Sequence, residues 1–166
     1  EYSGATSAAK SWDRLYARLR RNDPALSVQF WRCFGGSGGT GSEGSRLDTG
    51  TDGSLRLYTV DNVSVATFRA AGSVLTIGQW YRIDILFQYF AVAGATVVAA
   101  RVYLNGVLDI SIGTYPTSGF TVNAGNPNVL HDRARVGNNM VGAHTREIDI
   151  DDWHEAETPS AAGTGV

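Results

Sequence analysis

Lysine is almost missing from this 166-residue chain, which carries only Lys10, and cysteine is reduced to Cys33. A lone cysteine excludes a disulfide framework, and with no Cys/His pairs at ligand spacing a structural zinc site is excluded too. Cys33 stands among aromatics in Phe30-Trp31-Arg32-Cys33-Phe34 and reads as a small buried apolar side chain. No apolar run approaches the ~18 residues of a membrane span, and no segment has the layout of a signal peptide. Neither sign of charge dominates: a net charge of -2 leaves no electrostatic footprint for nucleic acid. Helical periodicity is scarce as well, which removes bundles and α/β folds.

What remains is a composition of 43% hydrophobic and 18% charged residues, enough to bury one apolar core without staples. The expectation is a single domain over 1–166, with its core at about 12–157 and flexible termini at 1–11 and 158–166. Short strand-like runs follow one another between Gly, Asn, Asp and Pro clusters. In the first, Leu15, Ala17 and Leu19 alternate with Arg14, Tyr16, Arg18 and Arg20, and Asn22-Asp23-Pro24 turns it into a second from Ser27 to Phe34. Further runs are expected at Ser54 to Val60, with Leu55 and Leu57 inward, Ser64 to Phe68, Trp80 to Phe90, Thr96 to Leu104, Arg133 to Gly137 and Arg146 to His154. Asn105-Gly106 is the strongest hairpin signal, joining Val102-Tyr103-Leu104 to Val107-Leu108-Asp109-Ile110 through a turn that needs positive φ. Ten or more such strands predict an all-β antiparallel sandwich or jelly roll.

Some motifs dissolve on inspection. Gly36, Gly38 and Gly41 match a dinucleotide-binding spacing, but no helix follows them, so Gly35 to Gly44 reads as a hairpin loop. Asp48-Thr49-Gly50 matches the aspartic-protease triplet without the apolar strand that should precede it and reads as a loop too. The cluster Arg14, Arg18, Arg20 and Arg21 reads as a solvated face. His131, His144 and His154 are scattered without ligand or triad spacing, and Asn62-Val63-Ser64 is a glycosylation sequon by pattern alone.

Five phrases occur in a familiar order: Asp52-Gly53-Ser54-Leu55-Arg56-Leu57-Tyr58, Gly78-Gln79-Trp80-Tyr81-Arg82-Ile83-Asp84, Val102-Tyr103-Leu104-Asn105-Gly106, Asp132-Arg133-Ala134-Arg135-Val136-Gly137 and Ile148-Asp149-Ile150-Asp151-Asp152-Trp153. Together they resemble the laminin-G-like, or concanavalin A-like, jelly-roll superfamily, closest to variants in bacterial surface proteins and phage structural proteins. In that fold Trp80 is expected to bury its large apolar face at a strand start.

The most informative stretch is Glu147-Ile148-Asp149-Ile150-Asp151-Asp152. At period two Ile148 and Ile150 face a core while Glu147, Asp149 and Asp151 share the other side. Such a row of carboxylates needs solvent, a cation, a basic partner or a catalytic use. The row resembles the E-[ILV]-D-x-E motif of family-16 glycoside hydrolases, which would make Glu147 the nucleophile, Asp149 its hydrogen-bonded assistant and Asp151 the general acid. Asp151 and Asp152 could instead give oxygen ligands to Ca²⁺ in a Ca-dependent lectin. An Asp at the acid position, the late place of the motif and the short chain favour a third reading, a non-catalytic adhesion or assembly module. The resemblance makes that module a virion component, in capsid decoration or tail, or a cell-surface protein with glycan binding. Its expected partners are other virion structural proteins or cell-surface glycans, with room for a homo-oligomer, and neither nucleic acid nor membrane. No cofactor is called for beyond that Ca²⁺. Exposed aromatics such as Tyr115, Phe120 and Trp153 would give contact surface.

Overall fold

The computed structural model describes residues 10–21, 27–35, 42–60, 65–93, 95–121, 131–136 and 147–156. These form eleven strands: β1 (Lys10–Arg21), β2 (Val28–Gly35), β3 (Ser42–Thr49), β4 (Ser54–Val60), β5 (Ala66–Val74), β6 (Trp80–Val92), β7 (Ala95–Leu104), β8 (Val107–Ile112), β9 (Phe120–Thr121), β10 (His131–Val136) and β11 (Glu147–Ala156). Every pairing is antiparallel. The first sheet runs β11-β1-β6-β7-β8, with β9 also on β7, and the second runs β10-β2-β3-β4-β5. The all-β sandwich expected from the sequence is the fold. The glycine spacing at Gly36 to Gly41, the sequon, His144 and the outer termini lie outside the described residues.

Alternation builds the core. Leu15, Ala17 and Leu19 of β1 face Ile83, Ile85 and Phe87 of β6 and Val98, Ala100 and Val102 of β7 within one buried layer, and Trp31, Leu47, Leu55 and Leu57 meet them from the second sheet. Each of the larger side chains contributes about 1.5–3 kcal/mol by leaving water. Trp31 and Phe87 stack across the gap between sheets, centroids 5.1 Å apart and planes 9° from parallel.

The Asn105-Gly106 hairpin forms as its sequence requires, with φ of 53° and 85°. Asn105 also ties the turn to β6, its N–H donating to the Arg82 carbonyl at 2.8 Å and its Oδ1 accepting from the Arg82 N–H at 2.9 Å. Between β3 and β4, Asp52 Oδ1 accepts from Ser54 Oγ at 2.6 Å and Ser54 N–H at 3.0 Å. Those hydrogen bonds, the hydroxyl's first, hold its carboxyl below the usual range.

Two readings need correction. Asp48-Thr49 is not loop but the end of β3, and Asp48 is 1% exposed. Ser42 to Thr49 has little intrinsic strand preference; pairing with β2 and β4 on both sides imposes it. Trp80 is 41% exposed rather than buried, because the register puts Tyr81 inward.

The open edges β5 and β8 are clasped by one carboxylate: Asp109 accepts from Ser73 N–H at 3.0 Å and Ser73 Oγ at 2.6 Å. Gly72 makes the approach possible, since a Cβ there would overlap the Asp109 carboxylate and lie 2.9 Å from Ile110 Cγ1. Gly72→Ala is therefore expected to lower stability by about 1–3 kcal/mol, read as a shift of the urea midpoint. An unchanged midpoint would mean the edges do not depend on this clasp.

Candidate functional site

The acidic ladder lies where the sequence puts it, and its compensation comes from within the chain. In β11, Ile148, Asp149, Ile150 and Asp151 pair residue for residue with Leu19, Arg18, Ala17 and Tyr16 of β1. Asp149 accepts from Arg18 Nη2 at 2.6 Å and Nε at 2.9 Å, and Arg20 Nε stands 3.5 Å away. Of the four ways to balance a carboxylate row, Asp149 uses a basic partner. The same device recurs one strand over, where Asp84 takes both Arg14 and Arg82. The arginines of β1 are thus not a bare solvated face, since Arg14 and Arg18 are half-buried among these pairs.

This geometry bears on the hydrolase resemblance. Glu147 and Asp151 are four residues apart on β11, whose ladder with β1 takes its extra residue on the β1 side where Arg21 meets Glu147, so at ~3.3 Å per residue β11 advances roughly 13 Å between them. A retaining pair needs its carboxyls ~5–5.5 Å apart, and the Asp149 carboxylate between these two positions is taken by Arg18. The Glu147 side chain lies outside the described set. Asp151 and Asp152 are exposed, Asp152 in the left-handed region at φ 47°, and Asp151 Oδ1 accepts the Asp152 N–H at 2.9 Å. Among the described residues no group of three or more His, Cys, Asp or Glu gathers as a metal site would require.

Arg18 also lies over the Trp80 ring, 4.7 Å from its centroid. With Asp149 and Trp80 both on one guanidinium that is one-third exposed, Arg18→Ala is expected to cost about 1 kcal/mol. The gap between variant and native unfolding curves should narrow in high salt, and a salt-independent gap would show the charge pairing to be idle.

A second polar row was not foreseen from the sequence. On the outer face of the second sheet, cross-strand partners bring Arg32 of β2 beside Arg46 of β3, Arg46 beside Tyr58 of β4, and Tyr58 beside Phe68 of β5. Arg135 continues the row at its register position on β10. Leu47 and Leu57, the residues between, point to the core. The Arg46 guanidinium covers the Tyr58 ring at 4.8 Å, and Tyr58 meets Phe68 edge-on at 5.7 Å. Two residues along on the same face of β3, the buried Asp48 carboxylate stands 3.2 Å from Arg46 Nε as its ion-pair partner. Phe68 is 50% exposed. Cations and flat apolar rings at neighbouring sites are what an anionic, ring-containing ligand requires. At sequence level Arg32, Arg46, Tyr58 and Phe68 look unrelated; only the register of four strands aligns them.

The other expected contact residues divide. Tyr115 is 39% exposed, edge-on to Phe90, while Phe120 is half-buried under Arg69 at 4.4 Å. The side chains of Trp153, His131, His154 and Cys33 fall outside the described set.

No protein-family model and no curated protein matches the sequence. Solved structures do match in shape. Alginate lyase A1-II′, a member of polysaccharide lyase family 7, aligns at a TM-score of 0.62 with 13% identity, over 95% of this chain and 65% of its own. The catalytic domain of a glycoside hydrolase family 131 protein from Coprinopsis cinerea aligns at 0.56 with 14% identity, over 96% and 61%. The binding domain of botulinum neurotoxin serotype D aligns at 0.55 with 11% identity, over 95% and 33%. The chain therefore spans under two thirds of each of these. Likeness at such identity establishes the fold, a concanavalin A-like jelly-roll sandwich. The non-catalytic expectation is corrected by the same matches: a polysaccharide lyase and a glycoside hydrolase catalytic domain carry this sandwich over nearly the whole chain.

Proposed function

We propose that this domain takes an acidic polysaccharide across the outer face of its second sheet and cleaves it by β-elimination at a uronate unit. The row Arg32, Arg46, Tyr58 and Phe68 carries the reading, and the enzymes that share the fold support it. Elimination removes the proton next to a uronate carboxylate, so negative charge builds on that carboxylate. Guanidiniums fixed in advance stabilise it without reorganising, and Arg46, held by Asp48, is such a group. Tyr58 supplies the hydroxyl in the row: it gives its proton to the leaving oxygen as the C–O bond breaks, and its oxygen receives the proton lost from the carbon next to the carboxylate as the C=C bond forms, so that the residue ends as it began. Carboxylate-pair hydrolysis is less well served, because Asp149 is held by Arg18 and Arg20.

The setting belongs to the same proposal. A domain that cuts acidic polymer is of use outside the cell or on a virion, where a phage or secreted protein meets a polysaccharide layer. Cell-surface glycans would then be its partners.

Incubation with alginate, polygalacturonate, hyaluronan and a neutral β-glucan tests the chemistry. The expected result is growing ultraviolet absorbance from unsaturated uronate ends with at least one acidic polymer and none with the glucan. New reducing ends without that absorbance would replace elimination by hydrolysis. If none of a broad panel of acidic polymers is shortened, the catalytic reading goes.

A further inference from the structure

We infer that the polymer crosses this row in one direction, its reducing end toward β10, and is cut at the β4 end of the arginine run, so that the arginines keep the unsaturated fragment. The inference rests on the proposed elimination at Tyr58. Arginine occupies this register level on β10, β2 and β3, ahead of Tyr58 on β4 and Phe68 on β5. Neighbouring strands are ~4.8 Å apart, and a pyranose ring with its linkage is about as long as one strand gap. Acidic sugars on successive strands therefore set their carboxylates at the level of successive arginines. Arg46 and Tyr58 address one sugar together, because the guanidinium lies over the ring at 4.8 Å.

Chemistry then fixes the direction. In a 4-linked uronate the proton lost is on C5, beside the carboxylate, and the bond broken is C4–O4, at the non-reducing end of the same ring. With the carboxylate on Arg46 and O4 at the Tyr58 hydroxyl, the non-reducing end of the reacting sugar faces β4 and its reducing end faces β2. O4 leaves with the Tyr58 proton as the C4=C5 bond forms, and the Tyr58 oxygen takes the C5 proton in return. The fragment with the new double bond holds the units at Arg46, at Arg32 and at the level of Arg135. The departing fragment lies on Phe68, half-exposed on the last strand of the sheet. The arginines described on β4 and β5 are engaged elsewhere: Arg69 donates from Nε to Thr59 Oγ1 at 2.7 Å and covers Phe120, and Arg56 pairs with Asp52 at 3.4 Å. The hold on the chain is thus one-sided, charged on the reducing side of the broken bond and apolar on the other.

Mass spectrometry of the first products from tetramers of 4-linked mannuronate, guluronate and galacturonate tests the direction, since an unsaturated fragment is lighter than its saturated counterpart by one water. The full native chain is expected to give unsaturated trimer and saturated monomer at least ~10-fold over any other split, the weight of one charge-assisted contact. Saturated trimer with unsaturated monomer overturns the inference by reversing the chain, and two dimers overturn it by centring the hold. Both leave the elimination reading intact. Arg32→Ala is expected to raise KM for the tetramer about 10-fold with kcat kept, and Arg32→Lys, which keeps the charge, to recover most of that loss. An unchanged KM in Arg32→Ala takes the second arginine out of the hold and overturns the inference as well. If longer acidic polymers are cut and no tetramer is, the four-unit hold falls. If no acidic polymer is cut, the proposed function falls and the inference with it.

Discussion

Tyr58→Phe is expected to lower the rate of polymer cleavage by about 10²–10⁴-fold, the usual weight of one proton-transfer group, with affinity for the polymer nearly unchanged. The split between rate and binding is the informative part. Phenylalanine keeps the ring that Arg46 covers at 4.8 Å and that Phe68 meets at 5.7 Å, so the surface offered to a sugar is preserved. Only the hydroxyl is lost. Initial rates of unsaturated-end formation give one half of the comparison and titration with uncleaved oligosaccharide the other. A variant that still turns over at the native rate would remove Tyr58 from the chemistry, and equal losses in both measurements would make it a binding residue alone.

The largest effect on stability is expected from Trp31→Ala, at about 3–5 kcal/mol. Trp31 is fully buried on the second sheet and stacks on Phe87 of the first, which in turn lies 6.2 Å from Tyr89. Removing the indole opens a cavity between two layers whose backbones are held by their own ladders and cannot collapse far into it. Guanidinium unfolding monitored by far-ultraviolet circular dichroism reads the change. A loss below about 1 kcal/mol would show that the layers close over the gap, and that the stack is not what joins them.

Several elements were legible because one local rule decided them. The alternation of Leu15, Ala17 and Leu19 fixed the inward face of β1, Ser54 to Val60 appears with its expected bounds, and Asn105-Gly106 made the turn its φ preferences demand. Where the sequence misled, a partner decided instead. Nothing in Ser42 to Thr49 announces a strand, yet β2 and β4 pair with it on both sides and bury Asp48. Trp80 has the bulk of a core residue but lies on the outward side of its strand, beneath Arg18. The acidic ladder was visible, but its counter-ion was not, because Arg18 is 131 positions from Asp149. The row on the second sheet was hidden most completely. Its members come from separate strands, and only a register no local pattern specifies sets them side by side.

The pairing of the first strand with the last has a topological consequence. Trp12 lies opposite Ala156, so the described chain sets out and returns at the same corner of the first sheet. A unit with its entry and exit adjacent can be grafted into a surface loop of a larger host without prising the host apart. By the same logic a short linker across that corner, with new ends opened at Asn105-Gly106, should give a circularly permuted protein with both sheets intact.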